Sequence, residues 1–207
     1  HPVTEQVYGV DLVREQLRIA RGLPMSVPEG PVVPRGWAIE CRITSEDPVN
    51  GLLPSTGTIR WMAVPSGPGV RWETGVEQGS EVTLFYDSML AKLIATGANR
   101  ANAIDVMRRA LGELVIVGVA TNVPFHLCLL ADPEFVAGKI DIQFLERRAD
   151  LLSPPDDAPT LERLAVLVAL LAEERRTSRE PTTRGARAAS GESTSLWTQV
   201  ARREAIQ

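Results

Sequence analysis

The chain has 207 residues, 44% of them hydrophobic, and its 22 Lys and Arg against 26 Asp and Glu leave a formal charge of −4. That size suits one ordinary domain plus an extension, and the acidic balance argues against a nucleic-acid binder, because neutralising phosphates needs a basic surface. Two cysteines (Cys41, Cys128) and two histidines (His1, His126) are too few for a disulfide framework or a structural zinc site, and they give a Ser-His-Asp or Cys-His nucleophile little support.

His1-Pro2-Val3-Thr4-Glu5 opens a helix, since proline is tolerated in a first turn, and Gly9 interrupts it. Asp11 caps a second helix over 12–21, with Leu12, Val13, Leu17 and Ala20 on one apolar face and Gly22 and Pro24 ending it. Residues 27–34 are rich in Pro and Gly and read as a loop. Residues 37–44 alternate as a strand, with Trp37, Ile39, Cys41 and Ile43 on one face and Ala38, Glu40, Arg42 and Thr44 on the other. Turn chemistry fills 45–57: Asp47-Pro48, Asn50-Gly51 and Pro54-Ser55-Thr56-Gly57.

Further strands are predicted at 58–64, 70–73, 81–85 and 90–96, joined by short loops that favour antiparallel neighbours. A helix over 101–114, with Asn99 or Asn102 near its start, turns Ile104, Met107, Leu111 and Leu114 toward the sheet. Residues 115–119 read as a buried strand. Thr121-Asn122 caps a helix over 123–130 that stops before Asp132-Pro133, and His126 inside it is expected to be a partly buried helix residue. Strands grouped early and mixed with helices predict an α+β fold, a mainly antiparallel sheet with packed helices, over a doubly wound sheet.

Beyond residue 148 the character changes. Residues 149–176 read as a linker, with Ser153-Pro154-Pro155-Asp156-Asp157, and an amphipathic helix capped by Thr160, whose last turn carries Arg175 and Arg176. Residues 177–195 have a disordered composition, and 196–207 read as the start of a truncated following domain. The longest nearly apolar run, 164–172, is about half of a bilayer span, and no secretory signal precedes the domain, so a cytoplasmic setting is expected. An opening on His1 instead of Met reads as a truncated or excised chain.

Certain segments occur in a characteristic order: His1-Pro2-Val3-Thr4-Glu5, Gly9-Val10-Asp11-Leu12-Val13-Arg14-Glu15-Gln16-Leu17-Arg18-Ile19-Ala20, Glu40-Cys41-Arg42-Ile43 and Glu46-Asp47-Pro48, followed by Leu53-Pro54-Ser55-Thr56-Gly57, Gly69-Val70-Arg71-Trp72, Tyr86-Asp87-Ser88-Met89 and Thr121-Asn122-Val123. Together they resemble biotin carboxylase over residues 1–148, from the segment that closes its active site to its C-terminal end. The resemblance implies the C-terminal domain of an ATP-grasp enzyme, of the rudiment single hybrid type. It also implies a chemistry in which MgATP activates bicarbonate as carboxyphosphate and CO2 passes to a ureido nitrogen of carrier-bound biotin.

By the same resemblance Arg42 supplies the fixed positive charge for the enolate-like ureido oxygen. A guanidinium stays ionised and presents a planar fork of donors, which suits that task, while an ion pair with Glu40 or Asp47 is the structural alternative. Asp87 matches an aspartate near the biotin site, or simply starts a turn. Ile142 matches a residue that packs on the adenine of ATP, or is a core isoleucine. Arg71 matches a position at the family's homodimer interface, or is a solvated strand residue. Glu46 and Asp47 have acid/base chemistry in a turn sequence, and Cys41 reads as a small core residue.

The phosphate loop, the ATP-grasp lysines, the general-base glutamate and the Mg2+ ligands of the family all lie upstream of residue 1, so the chain alone is expected to be inactive and to hold no metal. Trp197-Thr198-Gln199-Val200-Ala201-Arg202-Arg203-Glu204 resembles the segment after the carboxylase module of acyl-CoA carboxylase α chains, of the acetyl- or propionyl-CoA class. That implies a biotin carboxyl carrier domain and a carboxyltransferase subunit as partners. A non-catalytic assembly module and a remnant of another ATP-grasp ligase are the alternatives.

Overall fold

A computed structural model of the chain describes residues 1–27, 30–152 and 170. Of the region 149–176 predicted as linker and helix, residues 149–152 are described and form a 3-10 turn with Leu151 buried, not a linker; the rest of it, Leu170 apart, lies outside the described residues, as do the Ser/Thr-rich stretch and the following-domain start. The chain divides into two units, His1–Pro155 and Asp156–Gln207, and the first is described below.

Two short helices lead. Helix α1 (Pro2–Tyr8) ends at Gly9, whose φ of 69° takes it into the left-handed region that glycine tolerates. Helix α2 (Leu12–Ala20) is capped as expected, Asp11 accepting from the Arg14 amide. Its apolar stripe is not buried: Val13 and Leu17 are 62% and 63% exposed, and the buried residue is Glu15, which accepts from the Ser26 amide at 2.8 Å. Periodicity marked the stripe correctly, but among the described residues nothing covers it.

The strands are β1 (Trp37–Thr44), β2 (Glu46–Asp47), β3 (Leu53–Pro54), β4 (Gly57–Thr58), β5 (Trp61–Ala63), β6 (Val70–Thr74), β7 (Glu81–Val82), β8 (Met89–Gly97) and, after helix α3 (Arg100–Glu113), β9 (Val115–Val117). Helices α4 (Val123–Ala131), α5 (Pro133–Val136) and α6 (Phe144–Arg147) and a 3-10 turn (Ala149–Leu152) follow. All the strand pairs are antiparallel. The principal sheet has the order β1-β8-β6, and three two-stranded ladders pair β2 with β3, β4 with β7 and β5 with β9.

One face of the principal sheet makes the core. Cys41 and Ile43 of β1 and Ala91, Leu93 and Ala95 of β8 pack against Ile104, Met107, Ala110 and Leu111 of α3, with Leu130 of α4 alongside. A second cluster, Ile59, Val82 and Leu90, fills the space among the small ladders. Arg148 ties the C-terminal part down by pairing with Asp132, which is buried and caps α5 by accepting from the Glu134 and Phe135 amides.

Three strand expectations need correction. The run 58–64 divides between two partners: Thr58 pairs with Glu81 of β7, while Trp61 pairs with Val117 of β9. The change of partner falls between Ile59, whose amide donates to the Ser80 carbonyl, and Arg60, whose amide donates to the Val117 carbonyl; Gly118, at φ 124°, packs there against the Thr58 carbonyl, which a Cβ would strike. The run 81–85 stops at Val82, and Leu84, Phe85 and Tyr86 point into solvent. The run 115–119 is a strand only to Val117 and is not buried, because it pairs with β5 alone and both Val115 and Val117 remain exposed.

Candidate functional site

Period-two alternation puts Glu40, Arg42 and Thr44 on the face of β1 opposite the core. Directly opposed residues of neighbouring strands share a face, so the register extends this surface across the sheet: Arg42 faces Lys92, which faces Glu73, and Glu40 faces Ile94, which faces Arg71. The sheet is therefore amphipathic, with an apolar side on α3 and a side carrying six ionisable or polar groups around Ile94. Glu5 of α1 reaches this side and accepts from Arg71 at 2.8 Å while its other oxygen accepts from the Leu12 amide at 3.1 Å.

Arg42 projects from this surface with its side chain 68% exposed, and its one ion pair is loose, Nε to Glu40 Oε1 at 3.7 Å. The expected structural partner Asp47 is elsewhere: its carboxylate accepts from the Val49 amide and the Asn50 side chain. A guanidinium left this free is available to an external anion. The register with β8 shifts just beyond it, between Ile43 and Thr44.

The structure separates the other candidates. Asp87 is exposed and accepts from the Met89 amide at 2.8 Å, the turn that was the plainer of its two readings, and no hydrogen bond or ion pair joins it to Arg42. Ile142 is 99% exposed, which overturns the core-isoleucine alternative. Its neighbour Asp141 accepts from the Gln143 amide and from Arg147, so the loop holds Ile142 outward. Arg71 is not a solvated strand residue; it is clamped between Glu5 and Glu73.

Glu46 accepts from the Thr44 and Ser88 hydroxyls at 2.8 and 2.7 Å, which makes it a brace joining the ends of β1 and β8. Cys41 is buried, and burial, with the Glu40 charge adding to it, pushes its thiol up to about 12, so it carries no nucleophile. A cavity of about 690 Å3 lies between α1, α2 and the following loop, lined by Tyr8, Arg14 and Arg35 among others, and none of the four predicted site residues borders it.

Sequence reasoning missed what holds Arg42. Strand β1 is the outer strand of its sheet, so on its free edge the Arg42 and Thr44 peptide groups need partners from elsewhere. Asn122 provides them: its Oδ1 accepts from the Thr44 amide at 3.0 Å, its Nδ2 donates to the Arg42 carbonyl at 3.0 Å, and its own amide donates to the Thr44 carbonyl at 3.2 Å. One turn further along α4, His126 Nε2 lies 3.0 Å from the same Arg42 carbonyl. The sequence marked Asn122 as a cap for α4, but the side chain makes no cap bond because it is spent on β1. An asparagine before a helix signals a cap, and no local signal distinguishes one that pairs with a distant strand.

The domain buries one face of an antiparallel sheet and presents on the other an exposed arginine with one loose ion pair. The sequence profile of the biotin carboxylase C-terminal domain matches residues 40–147, just over half of the chain. Biotin carboxylase 1 of Bacillus subtilis is 46% identical over 146 residues, 70% of this chain and 32% of that protein. The biotin-dependent acyl-coenzyme A carboxylase alpha3 subunit of Mycobacterium leprae is 46% identical over 136 residues, 66% of this chain and 23% of that one. The biotin carboxylase domain dimer of the Hydrogenobacter thermophilus 2-oxoglutarate carboxylase, solved with MgADP, ADP and bicarbonate, superposes with a TM-score of 0.71 at 41% identity, covering 73% of this chain and 34% of that one. The chain belongs to the biotin carboxylase C-terminal domain family. It spans about a third of the length of the biotin carboxylase 1 it matches.

Proposed function

We propose that this chain forms the biotin-facing wall of an ATP-dependent biotin carboxylase, a ligase, within an acyl-CoA carboxylase. The observation that carries the reading is the exposed Arg42 guanidinium, standing on the polar side of a rigid sheet with only a 3.7 Å contact to Glu40. When the ureido group of biotin loses its proton, negative charge gathers on its oxygen. A strand-borne guanidinium stabilises that charge without reorganising. Ile142, held outward, offers an apolar surface of the kind an adenine ring stacks on.

Among the described residues no three His, Cys, Asp or Glu side chains converge as metal ligands, so these residues do not fit Mg2+, and no step here runs through it. ATP, bicarbonate and the biotin of a carrier domain are the proposed substrates and cofactor; a carboxyltransferase subunit and a second copy of the carboxylase module are the proposed partners; and the cytoplasm is the proposed setting. Asp87 stays in the proposal as a residue of the biotin-side loop, and Arg71 as part of the interface between copies. No described helix is long and apolar enough to cross a membrane.

The test is Arg42→Ala in the complete carboxylase. Biotin-dependent carboxylation falls by about 100-fold or more, the scale for loss of one oxyanion-stabilising donor, while biotin-independent, bicarbonate-dependent ATP cleavage persists. Equal loss of both activities refutes the charge-stabilising role. Residues 1–207 alone, given ATP, bicarbonate and free biotin, release no phosphate above a no-enzyme control.

A further inference from the structure

The Arg42 side chain has no firm tether of its own. With a single partner at 3.7 Å and most of its surface in solvent, its placement follows from where the peptide of Arg42 points the Cα–Cβ bond. That peptide lies on the free edge of β1, beside a shift in register with β8, where no described strand holds it. Four hydrogen bonds from Asn122 and His126 replace the missing strand, and two of them converge on one atom, the Arg42 carbonyl oxygen. A carbonyl oxygen has two lone pairs, so Asn122 and His126 satisfy it completely.

We propose that His126 is a positioning residue for Arg42: its Nε2–H, acting beside the Asn122 side chain, locks the Arg42 peptide and so aims the guanidinium at the biotin oxygen. The inference rests on the role proposed for Arg42 above and extends it to a residue about eighty positions away in sequence. Three features of the imidazole support it. Its Nδ1 is buried and has no partner among the described residues, which suits an unprotonated nitrogen. A neutral ring with a bare Nδ1 carries its one proton on Nε2, where the Arg42 carbonyl accepts it. Burial also holds the imidazole below its ordinary pKa, although the Arg42 carbonyl pulls the other way, so the neutral ring prevails at neutral pH.

The experiment has two arms. In the 207-residue chain, nitrogen chemical shifts at pH 7.5 report the His126 tautomer. The Nε2–H form is expected, and an Nδ1–H form or an imidazolium overturns the proposal whatever the variants do. In the complete carboxylase, His126→Leu and His126→Gln are compared with Arg42→Ala. The leucine removes the donor, whereas glutamine places an amide nitrogen at about the reach of Nε2.

His126→Leu lowers kcat/KM for biotin about tenfold, the worth of one hydrogen bond of roughly 1.4 kcal/mol, and leaves biotin-independent ATP cleavage within twofold; His126→Gln restores most of the loss. An unchanged biotin reaction in His126→Leu, an equal loss of both activities, or failure of glutamine to rescue refutes the positioning role. If Arg42→Ala itself spares the biotin reaction, the reading of Arg42 fails instead, and the two failures are thereby distinguished. If His126→Leu does not fold, the tautomer and the glutamine variant decide the question.

Discussion

The two faces of strand β1 obey different rules, although their residues alternate one by one. Cys41 and Ile43 point into the core against α3, where close packing makes every methyl group count. Arg42, between them, points the other way and touches almost nothing. Packing therefore belongs to one face and the chemistry proposed for Arg42 to the other, and a substitution on either should leave the other property nearly untouched. The polar face can carry a loosely paired charge because burial on the opposite side already pays for the strand.

That separation is most directly broken or upheld by Arg42→Ala, which carries the largest expected effect: the roughly 100-fold loss of biotin-dependent turnover with a change in unfolding free energy within about 0.5 kcal/mol. A drop in stability of several kcal/mol would show that the polar face supports the fold as well. The opposite face is sharpened by Leu93→Ala on the central strand β8. Leu93 is fully buried, and its truncation costs about 2–5 kcal/mol in urea denaturation.

The Arg71–Glu5 pair is the one expected exception on the polar face. It links β6 to α1 and is partly shielded, so a double-mutant cycle over Arg71→Met and Glu5→Gln should return about 0.5–1 kcal/mol of coupling. A coupling near zero would leave α1 attached by its apolar contacts alone.

The smallest effect concerns pH. With the His126 imidazole held below its ordinary 6.5 by burial, the unfolded chain takes up the proton first as the pH falls. The stability carried by neutral His126 is therefore complete above about pH 6.5 and is lost as the pH drops through the folded value. Between pH 7.5 and 5.5 the melting temperature should fall more in the parent than in His126→Gln. Parallel curves would mean that the folded and unfolded values coincide.

Much of this was legible residue by residue. The alternation at 37–44 placed Arg42 on the polar face and Cys41 on the core, and β1 forms over those same eight residues. Asp11 capped its helix as read, and of the two residues offered for α3, Asn99 or Asn102, it is Asn99 that caps, because a cap is a contact within three residues. Other readings failed where the partner is distant. The strand predicted over 58–64 changed partners between Ile59 and Arg60, and the 115–119 strand was exposed because its one neighbour among the described residues was short β5. Ile142 gave no local sign that it would stand in solvent; that depended on Asp141 holding Gln143 and Arg147.

The sequence by itself thus determined the α+β class, the family and the face on which the arginine stands, since these follow from side-chain period and from motifs whose residues are neighbours in the chain. Only the tertiary structure decided what holds that arginine. The peptide groups on the outer edge of β1 must find partners, and the fold brings Asn122 and His126, about eighty residues away, to supply them. Hydrogen bonds that satisfy an open strand edge have no fixed spacing, so no pattern in the sequence announces them.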